Sequence, residues 1–128
     1  MDWKLEVVVV PVSDVEASRD WYRDRMGFVL DFDQEVGPGM RIVQLTPPGS
    51  ACSIVMGHGI GQGEPGSLQG VQLVVHDVEA AREELLGRGL DPGEPQVMAP
   101  GDGGTFLFFA DPDGNGWAVQ QYRGGEGG

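Results

Sequence analysis

Basic residues are scarce in this chain: Lys and Arg total 8 against 20 Asp and Glu, a formal net charge of −12. A surface of that sign repels phosphates, which argues against a nucleic-acid partner and against docking on anionic membranes. It favours solubility, and it attracts small cations. Cysteine is nearly absent. Cys52 stands alone, so no internal disulfide is possible and nothing requires an oxidising compartment. Long apolar runs are missing too. Val7–Val10, broken by Pro11, falls far short of the roughly 20 residues that a spanning helix needs. The opening Met1-Asp2-Trp3-Lys4 has no basic region ahead of an apolar stretch, and a cytoplasmic protein is expected.

What the chain does have is an internal repeat. Asp14-Val15-Glu16-Ala17-Ser18-Arg19 returns as Asp77-Val78-Glu79-Ala80-Ala81-Arg82, with Asp14 and Asp77 63 positions apart. Each copy follows a short apolar run, Leu5–Val12 or Val71–Val75, and each precedes a helical stretch ending at glycine, Gly27 or Gly89.

The runs are short and β-branched, as buried strands are. Ser13 or Asp14 caps the first predicted helix, Ser13-x-x-Glu16 having capping-box spacing, and Asp77 caps the second. Val15, Ser18, Trp21, Tyr22 and Met26 form a candidate buried stripe on the first helix; Val78, Ala81, Leu85 and Leu86 form one on the second. The glycines suit left-handed C-terminal caps. Further strands are predicted at Phe28–Asp33, Met40–Thr46 and Ala51–Met56, then at Gln96–Ala99, Thr105–Ala110 and Trp117–Tyr122. Gly37-Pro38-Gly39, Pro47-Pro48-Gly49 and Asp111-Pro112-Asp113-Gly114-Asn115-Gly116 carry turn chemistry. The expected organisation is one α+β domain over 1–123, made of two tandem βαβββ modules at about 4–57 and 70–123. A linker lies at about 58–69, with a disordered tail at 124–128. Each module is a curved sheet covered by a helix on one face, which leaves a trough on the other.

Val12-Ser13-Asp14-Val15, Trp21-Tyr22-x-x-x-Met26-Gly27-Phe28 and Phe109-Ala110-Asp111-Pro112-Asp113-Gly114-Asn115 resemble the vicinal oxygen chelate (glyoxalase / bleomycin resistance protein / dioxygenase) superfamily over roughly 4–123. Trp21 to Phe32, with Pro11 in the first strand, looks most like the bleomycin-resistance branch. That resemblance implies a homodimer exchanging its N-terminal strand at Pro11, a residue that cannot donate to a sheet. A bulge near the strand's end would explain Pro11 equally well.

Metal-dependent relatives place His or Glu on four strands of the trough. Carried over one position at a time, those places fall at Val7, at Gly70 with Gln72 next on that face, near Ser53, and at Ala118 with Gln120 next. None is a His or a carboxylate, and His58 and His76 do not complete a set. No metal and no cofactor is therefore expected.

Strand alternation puts Val7, Val9 and Pro11 on the trough face and Val8, Val10 and Val12 behind it. Gln44, Gln72, Val74 and Gln120 join the trough, Phe106 or Phe108 gives an aromatic wall, and Tyr122 closes one end. The candidate ligand-binding set is Val7, Val9, Gln44, Gln72, Phe108, Gln120 and Tyr122. Such a lining holds a planar or amphipathic molecule by area and stacking and orients it with neutral amides. The leading expectation is a metal-free protein that sequesters an aromatic or cationic metabolite or antibiotic. The alternative is an enzyme of the same superfamily, a lyase, isomerase or dioxygenase, for which only Glu6, Arg41, His76 and Tyr122 are ionisable groups near the trough. A third reading is an interaction domain with a filled trough. Cys52 reads as buried and inert, Trp21 as core, and Trp3 as a dimer-seam residue.

Overall fold

A computed structural model of the chain describes residues 1–99 and 104–122. The expected tail at 124–128 and most of the glycine-rich loop at Gly101-Asp102-Gly103-Gly104 lie outside the described residues. The elements run β1 (Val7–Val9), α1 (Val15–Asp24), β2 (Val29–Gly37), β3 (Met40–Thr46), β4 (Ser53–His58), β5 (Val71–Val75), α2 (Val78–Gly87), β6 (Gln96–Ala99), β7 (Gly104–Ala110) and β8 (Gly116–Gln121). They form two sheets of matching topology, β1-β4-β3-β2 and β5-β8-β7-β6, with β1 and β5 parallel to β4 and β8. This is the glyoxalase-like α+β arrangement of two βαβββ modules. Among the described residues no helix is long and apolar enough to cross a membrane.

Each helix begins where an aspartate accepts from orphan backbone donors. Asp14 takes the Ala17 amide, and Asp77 takes those of Glu79 and Ala80. The capping box does not form, because the Ser13 hydroxyl is drawn across the chain to Asp113 Oδ1 at 2.6 Å. Both helices end ahead of a left-handed glycine, Gly27 (φ 73°) or Gly89 (φ 87°). The two ends meet there. Arg25 Nη1 donates to the Arg88 carbonyl (2.8 Å), and Arg88 Nη1 donates to the Asp24 carbonyl (3.1 Å). Each guanidinium thus finishes the other helix's C-terminus, where a cation is favoured.

The faces of the sheets that meet the helices share one core. Val10, Val43, Leu45 and Met56 from the first module and Leu107, Trp117 and Val119 from the second lie in a single buried cluster, with Tyr22 of α1 among them. On α1 the stripe is buried as expected except for half-buried Trp21. On α2 Val78 and Leu85 are buried, but Leu86 is exposed at the helix flank.

The hairpin turn after β7 fastens the modules together. Asp111 is buried and its carboxylate accepts from the Tyr22 hydroxyl (2.7 Å), Asn115 Nδ2 (2.8 Å) and the amides of Asp113 and Asn115. Trp117 Nε1 donates to the same Tyr22 oxygen at 2.8 Å. Asn115 Nδ2 also reaches the Pro11 carbonyl, and Asn115 Oδ1 accepts from the Leu68 amide. Burial, and then the neighbouring Asp111 carboxylate, push the Tyr22 hydroxyl far above the ordinary tyrosine range, so it stays a donor.

Candidate functional site

Because both sheets turn their helix-covered faces to one core, their concave faces open outward. Register fixes which side chains stand on each. On the first wall Val7 pairs with Ser53 and Val9 with Val55, while Gln44 lies between Val55 and Phe32. On the second, Gln72 pairs with Ala118, Val74 with Gln120, Phe106 with Gln120 and Phe108 with Ala118. Val74 (63%) and Phe108 (41%) are exposed on these ladders, while Ser53, Val55 and Ala118 are buried at their floor. The Phe106 and Phe108 rings stack on one another, with centroids 5.6 Å apart and planes 13° from parallel. Tyr122 sits at the end of this wall, edge-on to His76 at 5.3 Å.

The seven candidates fall into two groups. Val7, Val9 and Gln44 gather on the first wall; Gln72, Phe108, Gln120 and Tyr122 belong to the second. Within one chain the groups are not brought together. A cavity of about 440 Å³ on the second wall is lined by Gln69, Gln72, Phe108 and Ala118 with their neighbours, none from the first module. Pro11, expected on the trough face, is instead buried with its carbonyl taken by Asn115 and by the Gly66 amide. Arg41, expected near the trough, lies on the opposite face, where Nε and Nη2 grip Asp33 at 2.8 and 2.7 Å. Arg19 of α1 joins them at 2.7 Å. Arg41 first and then Arg19 hold the Asp33 carboxyl down to about 2. Cys52 is half-buried rather than buried, its thiol 3.7 Å from the Ser53 carbonyl. Trp3 is 88% exposed.

Alternation alone misses one residue on the first wall. The β2–β3 register slips between Leu30 and Phe32, leaving Asp31 as the extra residue of a β-bulge. Leu30 and Asp33 point to the core side and Phe32 to the concave side. Asp31 turns to the concave side as well, where its Oδ2 accepts from Gln44 Nε2 (3.1 Å) and from the Thr46 hydroxyl. Thr46 Oγ1 is in turn 2.6 Å from the hydroxyl of buried Ser53. The slip is fixed by the pairing with β3: Leu30 and Asp33, three residues apart, share a face because Asp31 is inserted between them.

The places expected to carry ligands in metal-dependent relatives hold Val7, Gly70, Ser53 and Ala118, with Gln72 and Gln120 adjacent. A hydroxyl and neutral amides are poor partners for a divalent ion. Among the described residues no group of three His, Cys, Asp or Glu side chains is close enough to hold one. The residues present do not fit the group.

Comparison with known proteins agrees with the topology. The Glyoxalase/Bleomycin resistance protein/Dioxygenase superfamily model matches residues 4–119. Among solved structures, the chain is similar to TnmS3, an antibiotic binding protein from Streptomyces sp. CB03234. The two are 35% identical, with a TM-score of 0.80 over 94% of this chain and 96% of that one. A glyoxalase/bleomycin resistance protein from the same organism is 36% identical, with a TM-score of 0.76 over 92% and 100% of the two chains. The chain is also 25% identical over 114 residues to YetH of Bacillus subtilis (strain 168), covering 88% and 92% of the two. Family match, module topology and helix-cap pattern coincide over nearly the whole chain, which belongs to the glyoxalase/bleomycin resistance protein/dioxygenase superfamily.

Proposed function

We propose that this protein sequesters a small aromatic or cationic metabolite or antibiotic, without a metal, in a trough built from the first wall of one chain and the second wall of another. The observation that carries the reading is the Phe106–Phe108 ring stack on the concave side, beside the neutral amides Gln72 and Gln120. An open aromatic face gives a planar ligand area and stacking, and a facing wall would exclude water from the other side. The likeness to an antibiotic binding protein at 35% identity supports the ligand class. Among the described residues no set of metal ligands is gathered on these walls, and the Asp31 carboxylate on the first wall is held by neutral donors. The reading places the protein in the cytoplasm, in keeping with its single cysteine.

The homodimer is part of the proposal, as is exchange of the N-terminal strand at Pro11. β1 pairs with β4 over three residue pairs only, and a partner's β1 would make the same three, so exchange conserves contacts. Exposed Trp3 and Leu5 continue the Val7–Val9 alternation ahead of β1 and would lie against the second copy. Val7→Cys with Ser53→Cys, in a Cys52→Ser background, tests this: an exchanged strand gives a disulfide-linked dimer on a denaturing gel, an unexchanged one a monomer.

The function itself is tested by light scattering on the purified protein, followed by calorimetric titration with planar aromatic cations. The expected result is a dimer that binds one compound per trough and returns it chemically unchanged. A monomer that binds nothing would refute the reading, and recovery of a converted compound would establish the enzyme instead.

A further inference from the structure

We propose that Asp31 is the ionic anchor of the trough, taking an ammonium or guanidinium group of the ligand whose ring packs against the Phe106–Phe108 stack. The inference rests on the binding function proposed above and assigns the ligand's charge.

Asp31 and Asp33 sit two residues apart on one strand, with opposite surroundings. Asp33 faces the helix side and is neutralised by two arginines. Asp31 is turned by the bulge to the concave side and meets neutral donors only. Among the described residues no Lys, Arg or His nitrogen forms an ion pair with it.

The donors are ordered in one direction. The Thr46 proton goes to Asp31 Oδ2, so the proton between Ser53 and Thr46 comes from Ser53. Gln44 gives its amide hydrogen to the same Oδ2, which leaves Gln44 Oε1 as an acceptor. Gln44 and Thr46, the latter backed by Ser53, thus fix the position of the Asp31 carboxylate through one oxygen. Asp31 Oδ1 accepts no side-chain hydrogen bond among the described residues. Asp31 Oδ1 and Gln44 Oε1 are the two acceptors left for a ligand, and a charged nitrogen with several hydrogens is the group that satisfies both. A bulge that re-aims one side chain beside a binding face is a recurrent device. The acidic surface adds a field that draws cations from a distance, but it does not single out a position.

The test is a paired titration of the wild-type protein with 9-aminoacridine, a planar cation, and with acridine, kept neutral in mildly basic buffer. It is repeated with Asp31→Asn and with Asp24→Asn, which removes an equal charge from the exposed side of α1. Wild type and Asp24→Asn should prefer the cation by about tenfold, the scale of one charge-assisted hydrogen bond. Asp31→Asn should bind both dyes equally, with its acridine affinity unchanged. If Asp31→Asn keeps the preference, the anchor is refuted while the binding function stands. If it loses both dyes alike, Asp31 shapes the wall rather than pairing charge, and the anchor is refuted as well. If wild type binds neither dye, the binding function fails and the anchor with it.

Discussion

The hydroxyl of Tyr22 on α1 stands 2.7 Å from Oδ2 of Asp111, which follows β7 and begins the turn, and this buried hydrogen bond ties the first module to the second. Tyr22→Phe deletes it, leaving Trp117 Nε1 without its acceptor and Asp111 with one donor fewer. A stability loss of about 1–3 kcal/mol is expected in urea denaturation, the cost of unsatisfied buried polar groups. Asp111→Ala should cost more, since four donors lose their partner. The double variant should fall short of the sum of the single ones, because the two changes share one network.

Acid should weaken the first module through Asp33. Its carboxyl is lowered from 3.8 to about 2 by Arg41 and Arg19. The stabilisation is therefore complete above the ordinary carboxylate value and is lost as pH falls from about 4 through about 2. With solvent screening at a partly exposed site, about 1 kcal/mol is at stake. Urea midpoints measured across that range should drop for the wild type and stay flatter for Asp33→Asn.

A cavity of about 220 Å³ lies under α2, between Ala81 and Leu85, the strand residues Leu73 and Phe109, and Pro47 and Pro48 of the first module. Ala81→Leu places a larger apolar side chain in that space on a helix that tolerates it. The melting temperature should rise, by the equivalent of about 1 kcal/mol. A fall would mean that the seam is closed in solution.

Gly89→Ala should be costly for two reasons: a φ of +87°, and a Cβ 2.0 Å from Arg25 Nη1 that would push this guanidinium off the Arg88 carbonyl. The backbone conformation alone accounts for about 1 kcal/mol. In an Arg25→Ala background the steric part vanishes, so the same substitution should cost measurably less by denaturant melts.

The repeat, the helix caps and most strand boundaries were legible because they rest on local rules. Asp14 and Asp77 cap where such residues cap, and Met40–Thr46 and Gln96–Ala99 fall where periodicity puts them. The faces of Val7, Val9 and Gln44 were legible as well, since β1 and β3 alternate without interruption. Asp31 was not. A single extra residue reverses the alternation that follows it, and nothing in Leu30-Asp31-Phe32-Asp33 marks where the slip occurs until the partner strand is in place. The Ser13–Glu16 capping box and the trough position of Arg41 failed for a similar reason. The partners of Ser13 and Arg41, Asp113 and Asp33, are chosen by tertiary contact, which spacing along the chain does not encode.

The reciprocal arginines at the helix ends bear on how a duplicated unit ages. Arg25 and Arg88 occupy equivalent places in the two copies, yet each completes the other copy's helix and not its own. Removing either half would strip one side-chain cap from the helix end of the other, so substitutions at one helix end are felt by the opposite half.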